Sequence, residues 1–375
     1  QHQSKLELLK GNLEKIGEAS SILSFQTSSS PSQKIELPSG CQNHKEGIQK
    51  ILEIFDQEKN NPGSADLIVH RVVHGGTKYR HAALLDLEVK QFIRDMIPLA
   101  RTHHPASLAC IEEISEHFPE IPQSVVFDTS FHQTLPEYAW RYALPRKISD
   151  QYAIRRYGFH GISHQSVVKQ AASFLKTPVN KLNLITIHLG NGASISAIKK
   201  GICVDTTMGM TPLEGLVMGT RPGDLDPGIL TLLAREGWNQ EALETMLNQD
   251  SGMKGLCGTN DFREILQNKE EGNEEAEMAL ELYCYRVRKT IGSFSTVIGP
   301  VDALVFTGGV GENVSWVRKR SVRGMEWMNI QLDPDMNDHA EAPCAIHSKD
   351  SQTKILVLPS DEEWEMASQA AELIL

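Results

Sequence analysis

The strongest constraint on what this chain can fold into is the stretch 182–206. An apolar run over 182–189 breaks at Gly190-Asn191-Gly192, and the segment 193–206 then alternates well enough to form a hairpin turning at Lys199-Lys200-Gly201. Such a run is a buried strand, and glycines directly after it let backbone amides approach a ligand. Shorter runs at 123–129, 303–307 and 355–358 are further buried strands; Leu67-Ile68-Val69 with Val72-Val73 is another, stopped by Gly75-Gly76. Helical periodicities separate them. Ile48, Ile51, Leu52 and Phe55 share one helix face ahead of the breaker Asn60-Asn61-Pro62-Gly63, and Ala279, Leu280, Tyr283, Val287 and Ile291 form a core-facing stripe within 276–294. The polar segment 26–40, with Ser28-Ser29-Ser30-Pro31-Ser32, is a surface hairpin or loop. Strands interleaved with helices predict α/β layers, and 375 residues favour two domains over one.

Charge and cysteine usage narrow the function. With 37 Lys+Arg against 48 Asp+Glu the net charge is −11, which argues against nucleic acid or an anionic membrane as partner. An anionic ligand must therefore be met by local cations. Cys41, Cys110, Cys203, Cys257, Cys284 and Cys344 include no Cys-x-x-Cys pair, so neither a zinc site nor a disulfide framework is expected, and a reducing cytoplasm fits. No apolar run reaches the roughly 18 residues that span a bilayer. The segment 1–17 carries amphipathic charge instead of a signal peptide's apolar centre, and it begins with Gln1, not Met, so an upstream portion is expected.

Several residues have the chemistry of phosphoryl transfer, which spreads charge over equatorial oxygens and needs cations and N–H donors to meet it. Arg71 lies on a strand read as buried, where its guanidinium needs an anionic partner; a structural salt bridge is the plain alternative. Asp128 ends the strand 123–129, and ligands of open α/β sheets gather beyond the carboxyl ends of strands, although an Asp there also caps turns. His160 and His164 are spaced i, i+4, but no Glu follows the first, so a zincin site is a poor fit. Phe159 beside His160 makes an apolar wall with a donor at its edge, while a buried structural histidine remains the alternative. Arg221 precedes Pro222-Gly223-Asp224-Leu225-Asp226-Pro227, in which Asp226 begins a helix. Thr307-Gly308-Gly309-Val310-Gly311-Glu312-Asn313 leads from strand to helix and permits close approach by a nucleotide, but it lacks the third glycine of a dinucleotide fingerprint. No G-x-x-x-x-G-K-[ST] occurs, which excludes P-loop chemistry. Asn260-Asp261-Phe262-Arg263 lacks the glycine and the H-R-D partner of a protein kinase.

Taken together, Arg71-Val72-Val73-His74-Gly75-Gly76, Val126-Phe127-Asp128-Thr129-Ser130-Phe131-His132-Gln133-Thr134, Tyr157-Gly158-Phe159-His160-Gly161, His188-Leu189-Gly190-Asn191-Gly192, Met218-Gly219-Thr220-Arg221 and Gly309-Val310-Gly311-Glu312-Asn313 resemble the acetate kinases in order and spacing over nearly the whole chain. The resemblance implies a two-domain α/β fold of the sugar kinase, Hsp70 and actin type (ribonuclease H-like), with a cleft between an acyl-substrate domain, 1–130 plus 364–375, and a nucleotide-binding domain, 131–363. It implies transfer from ATP to acetate, giving acetyl phosphate and ADP, with magnesium, or manganese in its place, and a homodimer. Carried over by motif, Arg71 and Arg221 contact the carboxylate and the migrating phosphoryl group, His160 stabilises the transition state, and Asp128 is the catalytic carboxylate. The resemblance also implies that His188, Leu189, Gly190, Asn191 and Gly192 hold the nucleotide phosphates. Asp261, Phe262 and Arg263 with Gly309, Val310, Gly311, Glu312 and Asn313 line the adenosine end. Glu362 helps hold the metal through water, Val73, Phe159 and Pro212 form the methyl pocket, and His103 lies beside it.

Two departures qualify the resemblance. The family's opening strand and its Asn-x-Gly-Ser-Ser-Ser-Leu-Lys loop find no counterpart in 1–375, because Lys10-Gly11-Asn12-Leu13-Glu14-Lys15-Ile16-Gly17 already matches the segment after them; the first strand is expected to be missing from these residues. Arg101-Thr102-His103-His104 stands where the family commonly has Pro-Leu-His-Asn. The alternatives to acetate kinase activity are therefore propionate kinase activity, or a nucleotide-binding homologue with impaired catalysis.

Overall fold

The computed structural model describes residues 6–28, 30–57, 65–101 and 103–375. Ser29, Thr102 and the Asn60-Asn61-Pro62-Gly63 breaker lie outside the described residues. The chain divides into two compact units, one formed by Gln1–Phe127 with Met366–Leu375 and the other by Asp128–Glu365.

In the first unit, β1 (Leu9–Glu14), β2 (Ser21–Thr27) and β3 (Ser30–Leu37) form an antiparallel sheet in the order β1-β2-β3. Leu23, Phe25 and Ile54, the last from α1 (His44–Gln57), pack together beneath it. The segment expected as a hairpin or loop is thus the β2–β3 hairpin. The strand β1 carries too few buried side chains to be legible from pattern. A second sheet has the order β4-β6-β5, from β4 (Ile68–Val72), β5 (Ala83–Leu84) and β6 (Gln123–Phe127), with β4 parallel and β5 antiparallel to β6. Every residue of β6 is buried. Val89 and Ile93 of α2 (Leu87–Asp95) and Leu108 and Ile111 of α3 (His104–His117) cover Val72, Val125 and Phe127. Asp86 starts α2 by accepting from Val89 N at 2.8 Å, as an N-cap should.

The second unit holds a six-stranded sheet ordered β11-β12-β10-β7-β8-β9, built from β7 (Asn183–Leu189), β8 (Ala193–Lys199), β9 (Ile202–Thr206), β10 (Ala303–Thr307), β11 (Cys344–Ala345) and β12 (Lys354–Val357). Parallel pairing of β12, β10 and β7 continues into the antiparallel β7–β8–β9 meander. The β8–β9 turn is Lys200-Gly201, both left-handed, the conformation a tight two-residue hairpin needs. The short helices α4 (Glu137–Trp140) and α5 (Arg146–Gln151) lead to α6 (Gly161–Phe174), whose Val167, Val168 and Ala171 join Leu184, Val305 and Leu356 in one core. Then come α7 (Pro227–Arg235), α8 (Gln240–Gln249), α9 (Gly252–Cys257), α10 (Phe262–Glu270) and α11 (Glu274–Ile298). The stripe Ala279, Leu280, Tyr283, Val287 and Ile291 is buried as expected, and α11 outruns the predicted 276–294 because Asn273 caps its start and Gly299, at φ 84°, ends it. The last helices are α12 (Gly308–Asn313), α13 (Ser315–Ser321), α14 (Pro334–Asp338) and α15 (Glu362–Ala371). Among the described residues no helix is long and apolar enough to cross a membrane.

Candidate active site

The site grows from the carboxyl ends of β7 and β10, the position at which α/β sheets gather ligands. The N-terminus of α6 meets the end of β7 there. His160, the residue before α6, has φ 56° and ψ 23°, a left-handed conformation uncommon for a side chain that is not glycine. It is held by its neighbour: Gly161 N donates to Asp128 O at 2.9 Å, and a Cβ on Gly161 would stand 2.2 Å from that oxygen. Asp128 itself follows β6 and is buried. Gly161→Ala is therefore expected to cost about 1–3 kcal/mol by overpacking and to displace His160, so the denaturation midpoint and kcat fall together.

Histidines crowd this end of the sheet. The rings of His160 and His188 stack at 4.3 Å with 28° between planes, and His188 Nδ1 pairs with Ser163 Oγ at 2.7 Å. Ser194 Oγ lies 2.9 Å from His160 Nδ1 and 2.8 Å from His164 Nε2, while His164 Nδ1 pairs with Thr186 Oγ1 at 2.8 Å. His132 Nε2 donates to the carbonyl of Phe159 at 2.9 Å, which fixes the backbone just before His160. Burial holds His132 at a pKa of about 4 and His164 well below the ordinary histidine value. Both are thus neutral in the fold and protonate near pH 6.5 once unfolded. Stability is fully present above pH 6.5 and declines as the pH falls toward the folded values, by about 1.4 kcal/mol per pH unit for each histidine. Urea midpoints between pH 7 and pH 5 should show this slope. A flat profile would mean that both side chains reach water.

Arg221 completes the group. A Cβ on Gly192, in the β7–β8 turn, would stand 2.8 Å from Arg221 Nη2 and 3.0 Å from His160 Nε2, so the guanidinium and the imidazole border one small volume that only glycine leaves open. Arg221 Nη1 donates to the carbonyl of Pro212 at 2.7 Å, and burial presses against its cationic form. The Pro212 loop is clamped in turn: Glu214 accepts from Arg156 Nη2 at 2.5 Å and from the Tyr142 hydroxyl, while Arg156 Nη1 donates to Thr207 O at 2.8 Å. None of Arg156, Glu214, Tyr142, Ser194 and Thr186 was singled out in the sequence. Arg155-Arg156 directly before Tyr157-Gly158-Phe159-His160 was the one available signal.

The β7–β8 turn also reaches the nucleotide-type segments. Gly190 N donates to Gly192 O at 2.9 Å, and Asn191 accepts from Gly219 N at 2.9 Å and from Asn260 Nδ2 at 2.8 Å. Asp261 starts α10 and holds Arg263 through Nε at 3.0 Å and Nη2 at 2.6 Å; the guanidinium is exposed, whereas the Phe262 ring is buried against Tyr283. After β10, Gly308 has φ 77°, and a Cβ there would stand 2.7 Å from Leu189 O, so Gly309 to Asn313 lie beside the end of β7. Glu312 Oε1 accepts from Gly308 N at 3.0 Å and Ser360 N at 3.2 Å, which makes this carboxylate a brace for two loops. Arg318, buried, donates to Gly311 O at 3.0 Å and Glu312 O at 2.7 Å. Glu362, the first residue of α15, follows Asp361, whose carbonyl accepts from Ser166 Oγ at 3.3 Å. Among the described residues no group of three His, Cys, Asp or Glu side chains could cage a metal. Magnesium needs no such cage, since this ion keeps several waters and takes one or two carboxylates with substrate phosphates.

Arg71, Val73 and His103 belong to the first unit. Arg71 is exposed on β4, which corrects the expectation of a desolvated guanidinium: β4 is an edge strand in which only Val72 is fully buried. Val73 is half-buried, and the exposed His103 precedes α3, whose buried His104 accepts from His74 N at 3.2 Å.

Comparison with known proteins follows the same lines. The Acetokinase family model matches residues 1–368. The chain is 46% identical over 369 residues to the acetate kinase of Sulfurovum sp., with 96% of this chain and 92% of the relative covered. It is 44% identical to that of Syntrophobacter fumaroxidans, at 98% and 91% coverage. Among solved structures, acetate kinase from Porphyromonas gingivalis aligns with a TM-score of 0.90 at 39% identity, covering 98% of this chain and 94% of that one. A propionate kinase from Francisella tularensis aligns with a TM-score of 0.90 at 37% identity, with 96% and 92% covered.

Proposed function

Since the chain belongs to the acetokinase family, ATP-dependent carboxylate kinases of the sugar kinase, Hsp70 and actin type of two-domain α/β fold, we propose that Arg221 and His160 meet the phosphoryl group as it passes from ATP to acetate. The observation that carries this is their shared border on Gly192. The bond from the γ-phosphorus to the bridging oxygen of ADP breaks as a carboxylate oxygen of acetate bonds to phosphorus. Charge then spreads over the equatorial oxygens, where a guanidinium and an imidazole N–H lower the barrier. Acetate is already ionised at neutral pH, so no base must take a proton from it; Asp128 works by orienting the groups around it, beginning with the carbonyl that fixes Gly161.

The remaining roles follow the motifs. His188 to Gly192 offer backbone amides to the phosphates, and Asp261, Arg263 and Gly309 to Asn313 line the adenosine end, with Phe262 supporting them from the core. By the same motifs Arg71 is assigned to the carboxylate, and Val73, Phe159, Pro212 and His103 to recognition of the methyl group. The unit holding Arg71 serves as the acyl-substrate domain, and the unit holding His188 as the nucleotide-binding domain. Magnesium, when bound with the nucleotide through Glu362 and water, neutralises phosphate charge. The six cysteines are free, which supports a reducing cytoplasm, and the resemblance supports a homodimer.

Propionate is the second acceptor. The equal TM-scores of the acetate and propionate kinases favour it, and one methylene in an apolar pocket discriminates by only about 1–3 kcal/mol. Incubating the protein with ATP, magnesium and acetate or propionate in hydroxylamine tests both readings. Acyl hydroxamate is expected from each acid, with acetate preferred; a folded protein that yields none from either acid would overturn the reading.

A further inference from the structure

The phosphoryl-facing imidazole has a second hydrogen-bonded layer behind it, and the hydroxyl of Thr186 sets the direction of that chain. Thr186 Oγ1 donates to Ser196 O at 3.5 Å and so accepts from His164 Nδ1 at 2.8 Å. His164 is wholly buried among His132 and His188, which keeps it neutral; with its one proton on Nδ1, its Nε2 accepts. The Ser194 hydroxyl donates to that Nε2 at 2.8 Å and spends its single proton there. Its oxygen can then only accept, so the 2.9 Å contact with His160 carries a proton on His160 Nδ1. Reversing the whole chain would forfeit the Thr186 contact with Ser196 O.

We propose that Ser194, with His164 and Thr186 behind it, is a positioning residue that locks His160 in the Nδ1–H tautomer. Nε2, the atom beside Gly192 and Arg221, then carries a lone pair in the neutral ring and gains an N–H only by protonation. Resting on the role proposed for His160, this means the ring meets a phosphoryl oxygen as imidazolium and not as neutral imidazole. Ser194 touches no reacting atom; it decides which nitrogen is available to do so.

The direct test needs no substrate. In protein labelled with ¹⁵N-histidine, the His160 signals are identified by their loss in His160→Gln. Long-range ¹H–¹⁵N correlation at a pH where the ring is neutral should show a pyrrole-type Nδ1 and a pyridine-type Nε2. The reverse pattern, or averaging of the two nitrogens, overturns the proposal. Ser194→Ala should release the tautomer and lower kcat by about 10–100-fold, the range typical of a lost orienting partner, with KM for ATP little changed, and Ser194→Thr should restore both. Full kcat in a folded Ser194→Ala protein also overturns it. If Ser194→Ala does not fold, the wild-type spectrum decides. Because the spectrum is independent of turnover, absence of acyl hydroxamate with a locked tautomer would count against the carboxylate kinase reading and not against the lock.

Discussion

Arg221→Ala is expected to lower kcat for acyl phosphate formation by about 10³-fold or more, the loss seen when an arginine that meets a transferring phosphoryl group is removed. The fold should survive. Arg221 is half-buried and its guanidinium donates to a carbonyl of its own loop, Pro212 O, at 2.7 Å; losing such a bond costs about 1 kcal/mol. Arg221→Lys should recover little, since an ammonium cannot hold the Pro212 carbonyl with one nitrogen and address the Gly192 volume with another. Hydroxamate assays at saturating ATP and acetate, with melting curves in parallel, check this. A kcat within ten-fold of the parent protein would remove Arg221 from the chemistry.

The largest stability effect is expected at Arg318. Its guanidinium is buried and donates to Gly311 O, Glu312 O, Asn337 Oδ1 and Asn337 O at 2.7–3.0 Å, so one side chain closes the α12 turn and ties it to α14. Arg318→Met fills similar volume but leaves these acceptors without a donor, and the expected loss is about 3 kcal/mol or more. Urea unfolding with an unchanged m value measures it. A loss below about 1 kcal/mol would show that water reaches the turn and replaces the guanidinium. The same variant should raise KM for ATP, because Gly309 to Asn313 are proposed to line the adenosine end.

These two arginines illustrate what the chain declares in advance. Arg221 was legible because its motif lies among small residues and a helix start, a context that makes a lone cation conspicuous. Arg318 was not: Ser315-Trp316-Val317-Arg318-Lys319-Arg320 reads as a basic surface helix, and only packing against Asn337 decides which of its cations is inside. The buried strands β7 and β10 were legible from their apolar runs. The hydroxyls of Thr186 and Ser194 were not read as a network, because the histidines they meet, His160 and His164, lie 22 to 34 residues away in sequence. The exposure of Arg71 is illegible for the opposite reason, since an apolar run does not reveal that its strand lies at a sheet edge and buries only Val72 fully.

In the proposed reaction Arg221 and His160 address one phosphorus atom across Gly192. A crystal structure of the chain with ADP, magnesium, acetate and aluminium fluoride, a mimic of the phosphoryl group in flight, measures this directly. The expected result is a fluoride within hydrogen-bond distance of both Arg221 Nη2 and His160 Nε2, next to Gly192. Aluminium fluoride bound with either nitrogen turned away from it would contradict the account.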